Sequence, residues 1–184
     1  MEKVRFRSMQ ESTPEEWATI RGIEARNNAD VVDRVIGQLL ALREFEQAFA
    51  VDRYEHSLQT ATRALRDGAE EEMLVAAVLH DIGDILAPDN HAQYAAAVLR
   101  PFVSDRTHWV VAHHDVFQGY YFWQHVGRDR NAREAYRDHA FFADCEAFCE
   151  NWDQPAFDPN YESEPFATFE PMVRRIFART PRLP

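Results

Sequence analysis

The chain has 184 residues, 46% of them hydrophobic, and a formal net charge of −11. That length and apolar content suit one globular domain with a substantial core and exclude a disordered chain. The acidic balance argues against a nucleic-acid backbone or an anionic bilayer surface as main partner, since both attract clustered positive charge.

Nearly every segment reads as helix, and the predicted fold class is all-α. Thr13-Pro14-Glu15-Glu16 combines an N-cap, a proline at the first helical position and acids in the first turn. A second helix is predicted through VVDRVIGQLLALREFEQAF, residues 31–49. The third, from about Tyr54 to Arg66, puts Leu58, Ala61 and Leu65 on one face and closes at Asp67-Gly68. LVAAVLHDIGDIL, residues 74–86, is the fourth, preceded by Glu70–Glu72 and ended by Pro88. A fifth runs from near Asn90 to about Pro101, and Ser104 caps a sixth that holds Trp109, Val110 and His113.

After Gly119 come the aromatic run Tyr120-Tyr121-Phe122-Trp123 and a polar stretch with Gly127 and Arg128–Arg133. The next helix carries Phe141, Phe142, Cys145 and Phe148. Proline-rich QPAFDPNYESEPF is expected to form an ordered wrap before a last short helix, MVRRIFAR. Cys145 and Cys149 share a helix face and read as small buried apolar groups, because no second pair completes a zinc set. No run of about 18 apolar residues occurs and the N-terminal stretch lacks a signal-type apolar core. A cytoplasmic protein without a membrane partner is therefore expected.

The fourth helix raises the functional question, because it places an imidazole and a carboxylate, His80 and Asp81, in the most apolar segment of the chain. Alone, the pair reads as a core histidine bonded to a carbonyl and oriented by its neighbour. It is not alone: His56, His80, His91, His108, His113 and His114 all fall within residues 56–114, out of 8 histidines in the chain. Successive antiparallel helices could each point a ligand into a shared interior. A cation of charge +2 or more would make burial of His80 and Asp81 affordable.

His56, His80-Asp81, His91, His113-His114 and a later aspartate closely resemble the HD-domain superfamily, and EHSLQTATRALRDGAEEEMLVAAVLHDIGD resembles its core. The resemblance spans roughly Tyr54 to Pro159 and implies a compact helical bundle with an interior metal site. It divides the chain into N-terminal helices (1–50), a metal-binding core (54–159) and a C-terminal wrap with a short helix (160–184), all within a single domain. HAQYAAAVLRPFV, WVVAHH and Asn151-Trp152-Asp153-Gln154 are most similar to the superfamily's mixed-valent diiron oxygenases, which cleave phosphonates or inositol. By that resemblance His56, His80, Asp81 and Asp153 hold one iron, His91 and His113 the second, and Asp81 bridges them. Asp81, His113 and His114 would then stand at the reacting centre, with His114 a ligand, a group beside one, or a contact to substrate. Asp144 is the fallback for the late carboxylate.

The activity implied by this resemblance is that of an oxygenase using O₂ to cleave a C–P or C–C bond of a small hydroxylated substrate, or to oxidise it, with two irons, Fe(II)/Fe(III), as cofactor. The alternative is a metal-dependent phosphohydrolase acting on a nucleotide or other phosphomonoester. Histidine and carboxylate donors serve Mn, Co, Ni and Zn as well as iron, so donor type does not choose.

The phosphonate-cleaving relatives carry a lysine four places after the sixth-helix histidine and an arginine three before the late aspartate. Here, counted from His113 and from Asp153, these positions are Phe117 and Glu150, and Glu46 and Phe49 replace a tyrosine and glutamate before the first ligand. The substrate is therefore expected to be less anionic than that phosphonate, or to be held by arginines elsewhere. Gln59, Asp84, Gln118, Tyr120 and Gln154 are the candidate substrate-binding residues, with Asp115 and Tyr121 at the mouth.

Overall fold

In the computed structural model, which describes residues 3–44 and 48–182, eight α-helices follow one another with no strand among those residues. They are α1 (Pro14–Ala29), α2 (Val31–Ala41), α3 (Arg53–Arg66), α4 (Glu71–Leu79), α5 (His91–Leu99), α6 (Asp105–Phe122), α7 (Phe142–Phe148) and α8 (Phe166–Phe177). The all-α expectation holds. Helix α2 stops at Ala41, short of the predicted end at residue 49, and Phe45, Glu46 and Gln47 of that stretch lie outside the described residues. No helix among the described residues is long and apolar enough to cross a membrane.

The helix ends follow from local chemistry. At α1 the Thr13 side chain accepts from the Glu16 amide while Glu16 accepts from the Thr13 amide, a reciprocal cap behind Pro14. Asp52 caps α3 by accepting from Glu55 N at 2.7 Å, and Ser104 caps α6 by accepting from Thr107 N at 3.2 Å. Helix α3 closes on Gly68, whose φ of 74° is left-handed, with Ala69 N donating to Ala64 O and Gly68 N to Leu65 O. That pattern satisfies carbonyls the helix leaves open.

Every residue from Met73 to Leu79 is buried, so α4 is apolar around its whole circumference and sits at the centre. Helices α3, α6 and α8 pack around it, while α5 lies on α6 and α6 on α7. The chain between α7 and α8 folds back along α3 as an ordered strap. Asp158 binds Gln59, Glu164 N donates to Thr62 Oγ1, and Arg63 and Arg66 donate to the carbonyls of Pro155 and Glu162.

Beyond Leu79 the predicted fourth helix gives way to successive turns through residue 86. Gly83 explains the tightness of this corner: a Cβ there would lie 2.6 Å from the His91 carbonyl oxygen and 2.7 Å from its Cα. Glycine thus lets the corner press against the start of α5.

A polar clamp ties the first turn of α4 to the entry of α6. Glu72 accepts from Ser104 N at 2.6 Å and pairs with Arg179 at 2.6 Å. Partial burial works to raise its pKa, but the hydrogen bonds from Ser104 and Arg179 prevail and lower it from 4.5 to about 2. A carboxylate so depressed adds stability above its unfolded pKa, and that contribution is lost as pH falls through the folded value. Glu72→Gln is expected to cost about 1 kcal/mol at pH 7, after allowing for solvent screening. The difference from wild type should shrink below pH 4.5 and close near 2, as read by urea unfolding across that range.

Candidate metal centre

The donors converge from four helical segments and one widened turn. His56 lies in the first turns of α3, His80 and Asp81 follow the last residue of α4, His91 opens α5 and His114 lies in α6. Asp153 ends a π-helical turn, Cys149–Asp153, that continues α7. The extra residue per turn changes the direction in which a side chain leaves the helix, a feature common at functional sites.

His56 Nε2 and His80 Nε2 are 3.1 Å apart. Asp153 Oδ1 lies 3.1 Å from the first and 3.7 Å from the second, and Asp81 Oδ2 lies 3.4 and 3.5 Å from them. The other Asp81 oxygen, Oδ1, is 3.3 Å from His114 Nε2 and 3.5 Å from His91 Nε2. One carboxylate therefore faces two donor groups, His56–His80–Asp153 on one side and His91–His114 on the other. All but His91 are buried.

The hydrogen bonds fix which ring nitrogen points inward. Nδ1 of His56 donates to Ala156 O at 2.9 Å, that of His80 to Ala77 O at 2.9 Å, that of His114 to Val111 O at 2.8 Å and that of His91 to Pro88 O at 3.3 Å. A carbonyl oxygen only accepts, so each neutral ring keeps its proton on Nδ1 and presents a bare Nε2 lone pair. Two bare nitrogens at 3.1 Å beside two carboxylate oxygens repel one another unless positive charge lies among them. The donor set fits divalent metal ions, and its nitrogen–oxygen composition suits Fe, Mn, Co, Ni and Zn alike.

Both aspartates are held ionised. Burial pushes Asp81 up, but His80, Arg53 and the contacts from His114 and His91 carry it well below the usual carboxylate range. Asp153 is likewise lowered, the imidazoles of His56 and His80 outweighing its burial. Asp84 goes the other way, raised by burial and by repulsion from Asp81.

Several neighbours brace this centre. Arg53 reaches Asp81 Oδ2 at 3.3 Å and Asp84 Oδ2 at 2.9 Å. Phe157 stacks on the His56 ring at 4.3 Å between centroids. Gln118 Nε2 donates to Asp153 Oδ1 at 3.1 Å, and Cys149 Sγ sits 3.9 Å from Asp153 Oδ2. Both cysteines are free and buried, as expected, and Cys149 adds a contact with a donor that spacing alone did not reveal.

A cavity of about 440 Å³ opens onto the centre, in the range of small-molecule sites. Asp81, Asp153, His91 and His114 form its floor. Phe49, Phe157, Tyr121, Phe122 and Trp123 supply aromatic walls, and Arg53, Arg128, Asp115, Gln118 and Gln154 its polar groups. Arg128 lies 3.7 Å over the Trp123 ring, so this arginine, read from sequence as part of a polar stretch, belongs to the cavity.

The structure brings His56, His80, Asp81, His91 and Asp153 together, and places Asp84 beside Arg53 and 3.3 Å from His91 Nδ1. It does not bring in His113, expected both as a ligand and at the reacting centre. That ring stacks on Trp109 at 4.2 Å, Trp109 stacks on His139 at 4.2 Å from its centroid, and His113 Nδ1 donates to Trp109 O. His114 occupies the inward position, because one residue along a helix rotates a side chain by about 100°. Counted from His114, the place four residues on is Gln118 and not Phe117, which is buried in the core.

Two other expected pocket residues lie elsewhere. Gln59 spends both ends of its amide on the Asp158 backbone, and Tyr120 packs under Arg130 and Arg133, 4.3 and 3.7 Å from its ring centroid. Asp144 pairs with Arg106 at 2.6 Å at the surface, which leaves Asp153 as the late carboxylate. Arg53 and Phe157 were not singled out from sequence. Arg53, three residues before His56 on the same helical face, carried the readable signal.

A family profile described as HD domain matches residues 53–145. No curated protein matches the chain.

Proposed function

The chain belongs to the HD domain family, and from that premise we propose that it is a metal-dependent phosphohydrolase acting on a small phosphomonoester. The observation that carries this reading is the Asp81 carboxylate, one oxygen toward each donor group, at the floor of a cavity that two guanidiniums also line. His56, His80 and Asp153 would hold one divalent ion with Asp81, and His91 and His114 would hold a second with the same carboxylate. Such ions lower the pKa of water and neutralise charge building on a phosphoryl group.

The chain's own residues do the rest. The Nδ1 bonds to backbone carbonyls hold four imidazoles in one tautomer and orientation. Arg53 fixes Asp81 from the cavity side and, with Arg128, offers positive charge to an anionic ester. The aromatic walls accept the organic part of the substrate and exclude water from the floor.

A second reading, a diiron oxygenase of a hydroxylated small molecule, draws support from the unequal donor groups. By the distances, His56, His80 and Asp153 lie together on one side of Asp81 and His91 and His114 on the other, as a division of labour between two irons would use. Assay separates the two. Phosphate release from small phosphomonoesters after Mn, Co or Zn loading, abolished by chelation, is the expected result. O₂ uptake by iron-loaded protein without phosphate release would overturn the hydrolase in favour of the oxygenase.

A further inference from the structure

The Gln118 amide is used at one end only. Its Nε2 donates to Asp153 Oδ1 at 3.1 Å, and because a carboxylate only accepts, the orientation of the amide is fixed. That leaves Oε1 as the other end, a buried carbonyl oxygen with no hydrogen-bond partner in the protein. A buried acceptor left without a donor carries an uncompensated desolvation cost, which native proteins rarely tolerate without a reason. Gln118 also lines the cavity above the metal-binding floor, and one amide width separates its unused oxygen from the nitrogen held on Asp153.

The neighbouring positions on α6 share this character. Asp115 and Tyr121, three residues before and three after Gln118, fall on the same helical face, and both line the cavity. Asp115 and Gln118 present hydrogen-bond acceptors on this wall and Tyr121 a hydroxyl that accepts or donates, whereas the two guanidiniums of the cavity belong to Arg53 on α3 and to Arg128 beyond α6. An acceptor repels phosphate or carboxylate oxygens and pairs with a hydroxyl or amino group.

We propose that Gln118 is a specificity-determining residue whose Oε1 accepts a hydrogen bond from a hydroxyl or amino group of the substrate, close to the phosphoryl end. The substrate class is then a small phosphomonoester with a donor group a few bonds from its phosphate. This rests on the phosphohydrolase reading for the phosphoryl end and deepens it at the organic end. Sites built to bond a substrate hydroxyl reject analogues that lack it, because the protein acceptor is otherwise stranded.

The test compares 2-hydroxyethyl phosphate with ethyl phosphate by titration calorimetry on the Mn-loaded full chain, with metal content measured in each sample. Wild type is expected to bind the hydroxylated ester about tenfold more tightly. Gln118→Met, which removes both ends of the amide, and Gln118→Lys, which keeps a donor for Asp153, removes the acceptor and adds a charge that both esters meet alike, should each bring the ratio to about one. Should Gln118→Met lose metal, Gln118→Lys carries the test. A wild-type ratio near one, a ratio that survives Gln118→Lys in metal-loaded protein, or no binding of either ester overturns the proposal. The tenfold ratio without any phosphate release would leave the role of Gln118 standing and remove the hydrolase reading alone.

Discussion

Asp81→Asn is expected to empty both halves of the centre at once. The asparagine keeps the shape but gives up the charge and offers one oxygen where two are used, Oδ2 toward His56 and His80 and Oδ1 toward His91 and His114. Activity should fall at least about a thousandfold, equivalent to about 4 kcal/mol of transition-state stabilisation. A folding readout separates this from simple disruption. Metal present at about 100 times its Kd adds about 2.7 kcal/mol to wild-type stability. For a chain of this size that raises Tm by roughly 5–10 °C. The variant should fold, melt cooperatively and show no metal-dependent rise. A metal-induced rise equal to that of wild type would contradict the bridging role.

Adjacent histidines give the second large contrast. His114→Ala is expected to halve the bound metal, since His91 and Asp81 Oδ1 remain on that side as an incomplete set while His56, His80 and Asp153 are untouched. Activity should drop by at least about a hundredfold. His113→Ala should leave metal content and activity near wild type and cost about 1 kcal/mol of stability, because it removes one layer of the His113–Trp109–His139 stack. Metal analysis and thermal melts on the two variants check this. Equal metal loss in both, or loss only in His113→Ala, would reverse the assignment.

That contrast marks where sequence reasoning stops. Which helices exist was legible from apolar periodicity and capping residues, and the ordered spacing of His56, His80-Asp81 and His91 placed one donor or two on each of three successive helical segments. Choosing between His113 and His114 requires the rotation of α6 about its own axis, which is set by packing. Four places on stands Phe117 from His113 and Gln118 from His114, and neither is the relatives' lysine, so pattern alone leaves the register open. The aromatic stack around Trp109 decides it, and His139, one of its layers, lies 30 residues beyond Trp109.

The limits of the fourth helix had a similar cause. LVAAVLHDIGDIL has apolar residues enough to continue as helix, yet the chain turns after Leu79. Gly83 permits the His91 backbone to come closer than any side chain would allow, a long-range contact invisible in local propensity. Gln59 shares a helix face with His56, as its spacing required, and was nevertheless claimed by Asp158 of the strap between α7 and α8. Asp153 was legible from its Trp-Asp setting, but the π-helical turn that aims it was not.

The most direct test of a two-position centre bridged by one carboxylate is the number of metal ions bound per chain, measured by elemental analysis after loading and desalting. The structure predicts two for wild type, one for His114→Ala and none for Asp81→Asn. One ion in wild type, unchanged by His114→Ala, would contradict the second position, and no ion at all would contradict the centre itself.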